Sequence, residues 1–322
     1  MSGVSRITQV LEIVREDPRK SLRSVMRYLR YYPILNEIVY RMLGVMRKEA
    51  IVEVLGSRMI VSFSDRGISR QLFFDKIREP ESTRLFVNQL EDAMTVLDIG
   101  SSIGYFPLVE ATIVKRGKIY AMEPDTRNVE LLKRTLALNS LTDRVPVFNM
   151  AIGDRTGEAR FIASDCLNCG RVAKDCEGGG GGGAIAVPMM SIDDFIAKEG
   201  CDVDFIRCDV EGYEYFIIKG AEKTLRNSRK LKIFMEVHPT SIRMFGGDVL
   251  EMFEMLSDFK VEYLVTVSKP PLIDFINPFR GHSLRCEEVT RFDSRVSELI
   301  TDGGLRRLLQ GSFYRIFLEK GR

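Results

Sequence analysis

The sequence predicts a doubly wound α/β fold, in which helices cover both faces of a mostly parallel sheet. Short apolar segments alternate with amphipathic helical segments through the middle of the chain, as expected for consecutive β-α-β units. The apolar segments at 95–99 and 118–122 each contain or precede an acidic residue, and glycines follow the first of them. A strand that leads through a glycine turn into a helix is typical of a nucleoside-binding half-unit.

The composition is typical of a globular protein. The chain has 322 residues, of which 45% are hydrophobic and 29% are charged, and its formal net charge is +2. This charge balance argues against a polyanion-binding surface that extends over the whole chain. The sequence has no apolar run of about eighteen residues and no signal-peptide layout at its start, so we expect a cytoplasmic protein without a transmembrane span.

Residues 1–49 are predicted to form a basic helical extension in front of a main domain at 50–322. The first fifty residues carry ten Arg or Lys residues against five acids. One helical face is basic and contains Arg19, Arg23, Arg27 and Arg30. We interpret this face as a solvated helix surface, and contact with an anionic membrane, an acidic substrate or a partner remains the alternative.

The elements of the main domain are predicted in order from their periodicity. A hairpin is expected at 50–63 with its turn at Gly56-Ser57, and the α/β core is expected at 94–267. Seven strands of the sheet are expected near 95–99, 118–122, 145–148, 203–208, 231–237, 261–267 and 312–318, the last two as an antiparallel edge pair. Helices are expected near 67–77, 80–91, 104–114, 126–138, 191–198, 213–227 and 247–258.

Residues 164–186 interrupt this alternation. The segment contains a run of glycines from Gly178 to Gly183 and three cysteines, Cys166, Cys169 and Cys176. Six consecutive glycines have no side chains to pack and lose much entropy on ordering, so a flexible loop is predicted, either a lid over the substrate or an inert insertion. For the cysteines we favour no special role, with a disulfide or a zinc site as alternatives.

The first strand end predicts a cofactor site, because ligands of open parallel sheets bind outside the carboxyl ends of the strands. The turn has the pattern Asp98-x-Gly100-x-Ser102-x-Gly104 rather than the glycine spacing of a dinucleotide site. An acid in front of the glycines is a poor neighbour for a pyrophosphate but suits the cationic amino acid part of S-adenosylmethionine. Glu123, after the second strand, is expected to accept hydrogen bonds from both ribose hydroxyls.

Three blocks further along the chain strengthen this interpretation. They are Ser191-Ile192-Asp193-Asp194, Asp209-Val210-Glu211-Gly212 and Glu236-Val237-His238. Their types and order resemble the FkbM-type family of class I S-adenosylmethionine-dependent methyltransferases, over about residues 58–240. The chain departs from the family at Ser101-Ser102, where Ala-Asn is common.

The resemblance implies a Rossmann-like seven-stranded sheet with S-adenosylmethionine as cofactor. It also implies O-methylation of a hydroxyl on a sugar, a glycan or another small natural product. Residues Asn149, Met150 and Ala151 follow the third strand and are expected to contact the adenine.

Methyl transfer to oxygen is an in-line displacement in which the hydroxyl proton must be removed. We predict His238 as the general base, because its ordinary pKa suits that role and it follows a strand at the cleft; a structural histidine is the alternative. Glu236 or Asp209 is expected to orient it or the substrate, and Asp209 also to face the cofactor. Glu211 and Arg243 are expected to contact the acceptor. A metal at Asp209 and Glu211 is disfavoured because no third acid supports it, so no metal site is predicted.

Other functions remain open on the sequence alone. An RNA or protein methyltransferase would use the basic N-terminal helices for docking. A non-catalytic module would bind S-adenosylmethionine without turnover. A nicotinamide oxidoreductase is disfavoured by the glycine spacing.

Overall fold

The computed structural model describes residues 33–164, 167, 170–172, 184–268, 286–311 and 313–320. The basic segment before residue 33, the three loop cysteines and the Gly178–Gly183 run lie outside these residues, so the predictions made for them stay predictions. Among the described helices, none is long and apolar enough to cross a bilayer.

The strands and helices are numbered in chain order. The strands are β1 (Glu49–Val54), β2 (Ser57–Ser62), β3 (Thr95–Ile99), β4 (Lys118–Met122), β5 (Val147–Phe148), β6 (Ala151–Gly153), β7 (Gly157–Ile162), β8 (Arg171–Val172), β9 (Ile185–Ser191), β10 (Phe205–Cys208), β11 (Lys232–Val237), β12 (Phe259–Ser268), β13 (Cys286–Arg295) and β14 (Tyr314–Lys320). The helices are α1 (Pro33–Met46), α2 (Ile68–Asp75), α3 (Pro80–Gln89), α4 (Tyr105–Ile113), α5 (Thr126–Leu138), α6 (Ile192–Glu199), α7 (Glu214–Lys219), α8 (Glu222–Asn227), α9 (Pro239–Met244), α10 (Val249–Met255), α11 (Val296–Thr301) and α12 (Gly303–Gln310).

The main sheet has the order β13-β12-β14-β11-β10-β3-β4-β5. Its five central strands, β11 to β5, are parallel, and β14 pairs antiparallel with both β11 and β12. The chain order reverses between β3 and β10, which is the position where open α/β sheets bind ligands. The doubly wound α/β prediction and the antiparallel edge pair are therefore confirmed.

The number of strands differs from the prediction, because β13 pairs antiparallel with β12 and makes an eighth strand. This strand lies at the sheet edge and carries charged residues along much of its length. An edge strand needs only backbone pairing on one side, so it does not require the apolar pattern that sequence reasoning searches for.

Two smaller sheets accompany the main sheet. The hairpin of β1 and β2 turns through Leu55 (φ 47°) and Gly56 (φ 82°), one residue earlier than expected, and two consecutive positive φ values suit a two-residue hairpin. The second sheet has the order β6-β9-β7-β8 and was not predicted. Two of its strands, β6 and β8, have only three and two residues, and β7 and β9 are separated along the chain by the segment with the cysteines and glycines. Ala151 belongs to β6.

The predicted helix at 213–227 is two short helices, α7 and α8, that meet at Gly220. A Cβ at Gly220 would lie 2.0 Å from the carbonyl oxygen of Gly153, so only glycine permits the close approach of β6.

Both faces of the main sheet are buried. Val96, Phe205 and Phe234 belong to one apolar core, and Leu97, Ile206 and Met235 belong to the other. Alternate residues of each strand face opposite cores, which is the period-two pattern of a sheet covered on both sides. This double packing holds the carboxyl ends of β3, β4 and β10 side by side.

Candidate functional site

A cleft opens at the carboxyl ends of β3, β4 and β10, with an empty volume of about 750 Å³ that includes space open to solvent. The predicted site residues that line it are Gly100, Ser102, Glu123, Met150, Ala151, Asp209 and Glu211. The cleft therefore brings together six of the nine cofactor candidates, together with Glu211 from the acceptor side, whereas Asp98, Gly104 and Asn149 do not line it.

The turn from β3 into α4 needs its glycines. Gly100 has φ +82°, and a Cβ there would lie 2.0 Å from the carbonyl oxygen of Asp209. Gly104 has φ +99°, and a Cβ there would lie 2.5 Å from Cδ1 of Leu132. Both positions combine a left-handed backbone with a close neighbour, so a side chain would push the turn away from β10 or from α5. Gly104 does not line the cleft; it lies against Leu132 of α5.

Glu123 is the acid at the end of β4, and it is almost fully buried. Its Oε2 accepts a hydrogen bond from the backbone N–H of Ser102 at 2.8 Å, and its Oε1 accepts one from the N–H of Asp125 at 2.9 Å. Burial outweighs these hydrogen bonds and raises the pKa of Glu123 to about 7. Oε1 also accepts a hydrogen bond from Nδ2 of Asn128 at 3.3 Å. A carboxylate has about four acceptor positions, so one position, on Oε2, stays open to a hydroxyl group in the cleft.

Asp98 does not line the cleft. It has no solvent exposure, and its Oδ1 accepts a hydrogen bond from Arg207 Nη1 at 3.0 Å across the β3–β10 pair. Arg207 also donates to the carbonyl oxygen of Gly100 at 2.9 Å and to Asp209 Oδ2 at 2.6 Å. The pair therefore supports the glycine turn from below. A direct contact between Asp98 and a cofactor amino group does not fit this arrangement, because the carboxylate is beneath the turn and already neutralised.

Asp209 does line the cleft, and it belongs to a buried chain of alternating charges. We call this the ion network: Asp98, Arg207, Asp209, Arg78, Glu79, Arg315, Glu236 and His238. Consecutive members lie within 2.6 to 3.6 Å of each other. Sequence reasoning missed its three arginines. One signal was present for two of them, since Arg207 stands in the otherwise apolar strand β10 and Arg315 in the apolar run at the start of β14. No such signal marks Arg78.

His238 lies at the end of the ion network, between carboxylates. Its Nδ1 is 2.7 Å from Glu214 Oε1, and its Nε2 is 3.3 Å from Glu236 Oε1 and 3.5 Å from Glu211 Oε2. Burial alone would lower the pKa of this histidine, but hydrogen bonds with Glu214 and Glu236 outweigh it and raise the pKa to about 11.

The imidazole is therefore charged at neutral pH and both of its nitrogens donate. A charged His238 has no lone pair with which to accept a proton. The prediction that it is the general base does not fit this environment, which instead makes it a fixed cation next to Glu236 and Glu211.

The remaining candidates lie around the cleft. Asn149 donates from Nδ2 to the carbonyl oxygens of Glu123 at 3.0 Å and Pro124 at 2.9 Å, so it braces the loop after β4. Arg243 donates to the carbonyl oxygen of Gln310 at 3.0 Å and is not among the residues that line the cleft. Its predicted contact with an acceptor has no counterpart in this arrangement.

In the described part of the chain, no group of three or more His, Cys, Asp or Glu side chains is arranged to hold a metal ion.

Comparison with known proteins gives a family match. The family model of the methyltransferase FkbM domain matches residues 98–263. The curated 2-O-methyltransferase NoeI of Sinorhizobium fredii is 26% identical over 217 residues, covering 58% of this chain and 85% of that protein.

Two solved structures can be compared with the fold. The methyltransferase FkbM of Methylobacillus flagellatus aligns with 65% of this chain at 18% identity and a TM-score of 0.43, and this chain spans only 50% of that protein. The second is an O-methyltransferase of Thermotoga maritima, with 14% identity and a TM-score of 0.41. The alignment covers 85% of this chain and 78% of that protein.

Proposed function

The chain belongs to the FkbM methyltransferase family, whose domain model covers more than half of it, and from this premise we propose that it methylates a hydroxyl oxygen. It is an S-adenosylmethionine-dependent methyltransferase. The proposed acceptor is a hydroxyl group on a sugar, a glycan or another small natural product. The curated relative NoeI supports an oxygen acceptor, because that protein is named a 2-O-methyltransferase.

One observation carries the proposed cofactor site: the carboxylate of Glu123 is held at the cleft by the backbone N–H of Ser102. This fixes an acid at the end of β4, where we propose that it binds the ribose hydroxyls. The glycine turn at Gly100 would face the amino acid portion, and Met150 with Ala151 would pack against the adenine. When bound, S-adenosylmethionine supplies the methyl group.

Two further acids of the cleft support a hydroxylated acceptor. Asp209 and Glu211 line the cleft, as does Tyr213. Carboxylate oxygens accept hydrogen bonds from hydroxyl groups and are favourable neighbours for a sulfonium cation. We therefore propose that both acids orient the acceptor and that Asp209 also stabilises the cationic donor.

We also propose that residues 50–322 constitute the methyltransferase domain and that 1–49 is an extension of it. An RNA or protein acceptor would depend on the basic residues before 33, which the structure does not describe. RNA and protein are therefore tested as separate acceptors in the transfer assay.

The test is a transfer assay with methyl-labelled S-adenosylmethionine. The acceptor panel contains sugar nucleotides, free oligosaccharides, lipid-linked glycans, an RNA pool and a protein mixture, and products are read by mass. We expect label on a hydroxylated small molecule or glycan, and loss of that label in Glu123→Ala. Label that appears only on RNA or protein would contradict the proposal.

A further inference from the structure

Glu211 has an unusual backbone conformation for a residue with a side chain. Its φ is +55°, in the left-handed region, and it is followed by Gly212 at φ +113°. A Cβ at Gly212 would lie 2.3 Å from Cβ of Ser241, so the turn after β10 is pressed against α9. Strained positions of this kind persist only where the surrounding structure holds them, and they occur often at functional sites.

Exposure separates Glu211 from the other acids near the cleft. Its side chain is 34% exposed, whereas those of Asp209 and Glu236 are 12% and 8% exposed. Asp209 is also paired with Arg207 at 2.6 Å, and Glu236 with Arg315 at 2.7 Å. Glu211 contacts no arginine among the described residues; the cation that it approaches is His238, at 3.5 Å. A small molecule in the cleft can therefore reach its oxygens.

The surroundings of Glu211 also suit proton transfer. Burial raises the pKa of Glu211 to about 7, with further contributions from the negative charges of Asp209, Glu236 and Glu214, and the cation of His238 opposes this rise. A carboxylate whose pKa is close to the working pH is an effective general base, because it is partly ionised and also basic enough to bind the proton.

We propose that Glu211 is the catalytic base, which takes the proton of the acceptor hydroxyl, and that His238 is a positioning residue. The proposal rests on the proposed O-methylation. As the acceptor oxygen forms its bond to the methyl carbon, the bond from that carbon to sulfur breaks and its electron pair stays on sulfur. The hydroxyl proton moves to the Glu211 carboxylate and then to solvent. Charge is conserved, since one cation and one carboxylate become a neutral thioether and a neutral acid.

The first test compares Glu211→Gln with wild type on the acceptor found in the transfer assay. Gln keeps the shape of the side chain but cannot take the proton. We expect kcat to fall by about 10²–10⁴-fold, the usual contribution of a general base, with the affinity for S-adenosylmethionine nearly unchanged. The rise of kcat with pH near 7 should also disappear. Glu222→Gln is the matched control, because Glu222 is an exposed acid on α8 outside the cleft, and it should behave as wild type.

A second readout does not depend on turnover. In protein labelled with ¹³C at the glutamate carboxyl carbons, a resonance that titrates near pH 7 should disappear in Glu211→Gln. A second resonance in this range belongs to Glu123 and is assigned with Glu123→Gln. The proposal would be overturned if Glu211→Gln kept the kcat and the pH profile of the wild type. It would also be overturned if the wild type showed no Glu211 resonance that titrates near pH 7. Either result would leave the proposed O-methylation intact. A wild-type protein that binds S-adenosylmethionine but methylates no hydroxyl would overturn the proposed function, and the assignment of the base with it.

Discussion

Nδ1 of His238 lies 2.7 Å from Oε1 of Glu214, a carboxylate whose side chain has no exposure to solvent. Glu214 also accepts a hydrogen bond from the backbone N–H of Gly212 at 3.0 Å through the same oxygen. The histidine ring is thereby linked to the turn that carries Glu211. The pair thus keeps His238 charged at neutral pH, although the sequence predicted a residue that exchanges protons there.

His238→Gln should distinguish a positioning cation from a base. Because His238 lowers the pKa of Glu211, its removal should raise that pKa and move the acidic limb of the pH–rate profile to higher pH. Affinity for S-adenosylmethionine, measured by calorimetry, should change little. A profile that loses its acidic limb altogether would instead identify His238 as the base.

The same histidine should make stability depend on pH. Its pKa is raised from about 6.5 in an unfolded chain to about 11 in the folded protein. The stabilisation is therefore complete below about pH 6.5 and is lost as the pH rises through 11. The free energy of unfolding should fall more steeply between pH 7 and 11 in wild type than in His238→Gln, as urea titrations at several pH values would reveal. Parallel curves would contradict the charged state of His238.

Cofactor affinity should depend on ionised Glu123. The pKa of this acid is about 7, and the ribose hydroxyls donate to its charged form, so the Kd for S-adenosylmethionine should rise as the pH falls below 7. Loss of hydrogen bonds to a charged group costs about 1.5–3 kcal/mol, so Glu123→Ala should weaken binding by at least about tenfold. Glu123→Gln should bind with reduced dependence on pH. Unchanged calorimetric affinity in Glu123→Ala would exclude the ribose contact.

Gly100→Ala should disrupt the glycine turn through a clash rather than through backbone strain alone. Gly56 is a matched control, because it has the same φ of +82° but no atom within 4 Å of the position that a Cβ would occupy, whereas Gly100 has the Asp209 carbonyl oxygen at 2.0 Å. Gly56→Ala should lose about 1–2 kcal/mol from the left-handed backbone. Gly100→Ala should lose more stability and also bind S-adenosylmethionine poorly. Equal effects of the two changes in unfolding and binding assays would argue against the close approach to β10.

The Asp98–Arg207 pair should be important for stability. Arg207→Met leaves Asp98 buried without its partner, and removal of one member of a buried pair costs about 3–5 kcal/mol. The exposed pair of Glu222 and Arg226 is the control, with side chains 69% and 74% exposed, so Arg226→Met should change stability by less than about 1 kcal/mol. Chemical denaturation measures both. A small loss in Arg207→Met would mean that Asp98 is held neutral by a proton.

Local pattern predicted much of the fold and part of the site. The central strands and the helices around them were predicted because buried strands and amphipathic helices have their own periods along the chain. Gly100 and Glu123 were predicted for the cleft because each directly follows a strand, and Ser102 because it lies in the turn after β3. The edge strand β13 has no comparable apolar pattern, and the second sheet pairs strands that are far apart along the chain and includes two very short ones, β6 and β8.

The sequence by itself determined the alternation of elements, the glycine turn and the acids at the strand ends, since these depend on neighbours along the chain. Only the tertiary structure decided which charges meet. Arg207 is 109 residues from Asp98, and Arg315 is 79 residues from Glu236. The order of strands in the sheet brings these groups together, and burial then strengthens their interaction. For the same reason the protonation of His238 and the accessibility of Glu211 followed from packing, because a pKa depends on the surroundings of a group rather than on its type.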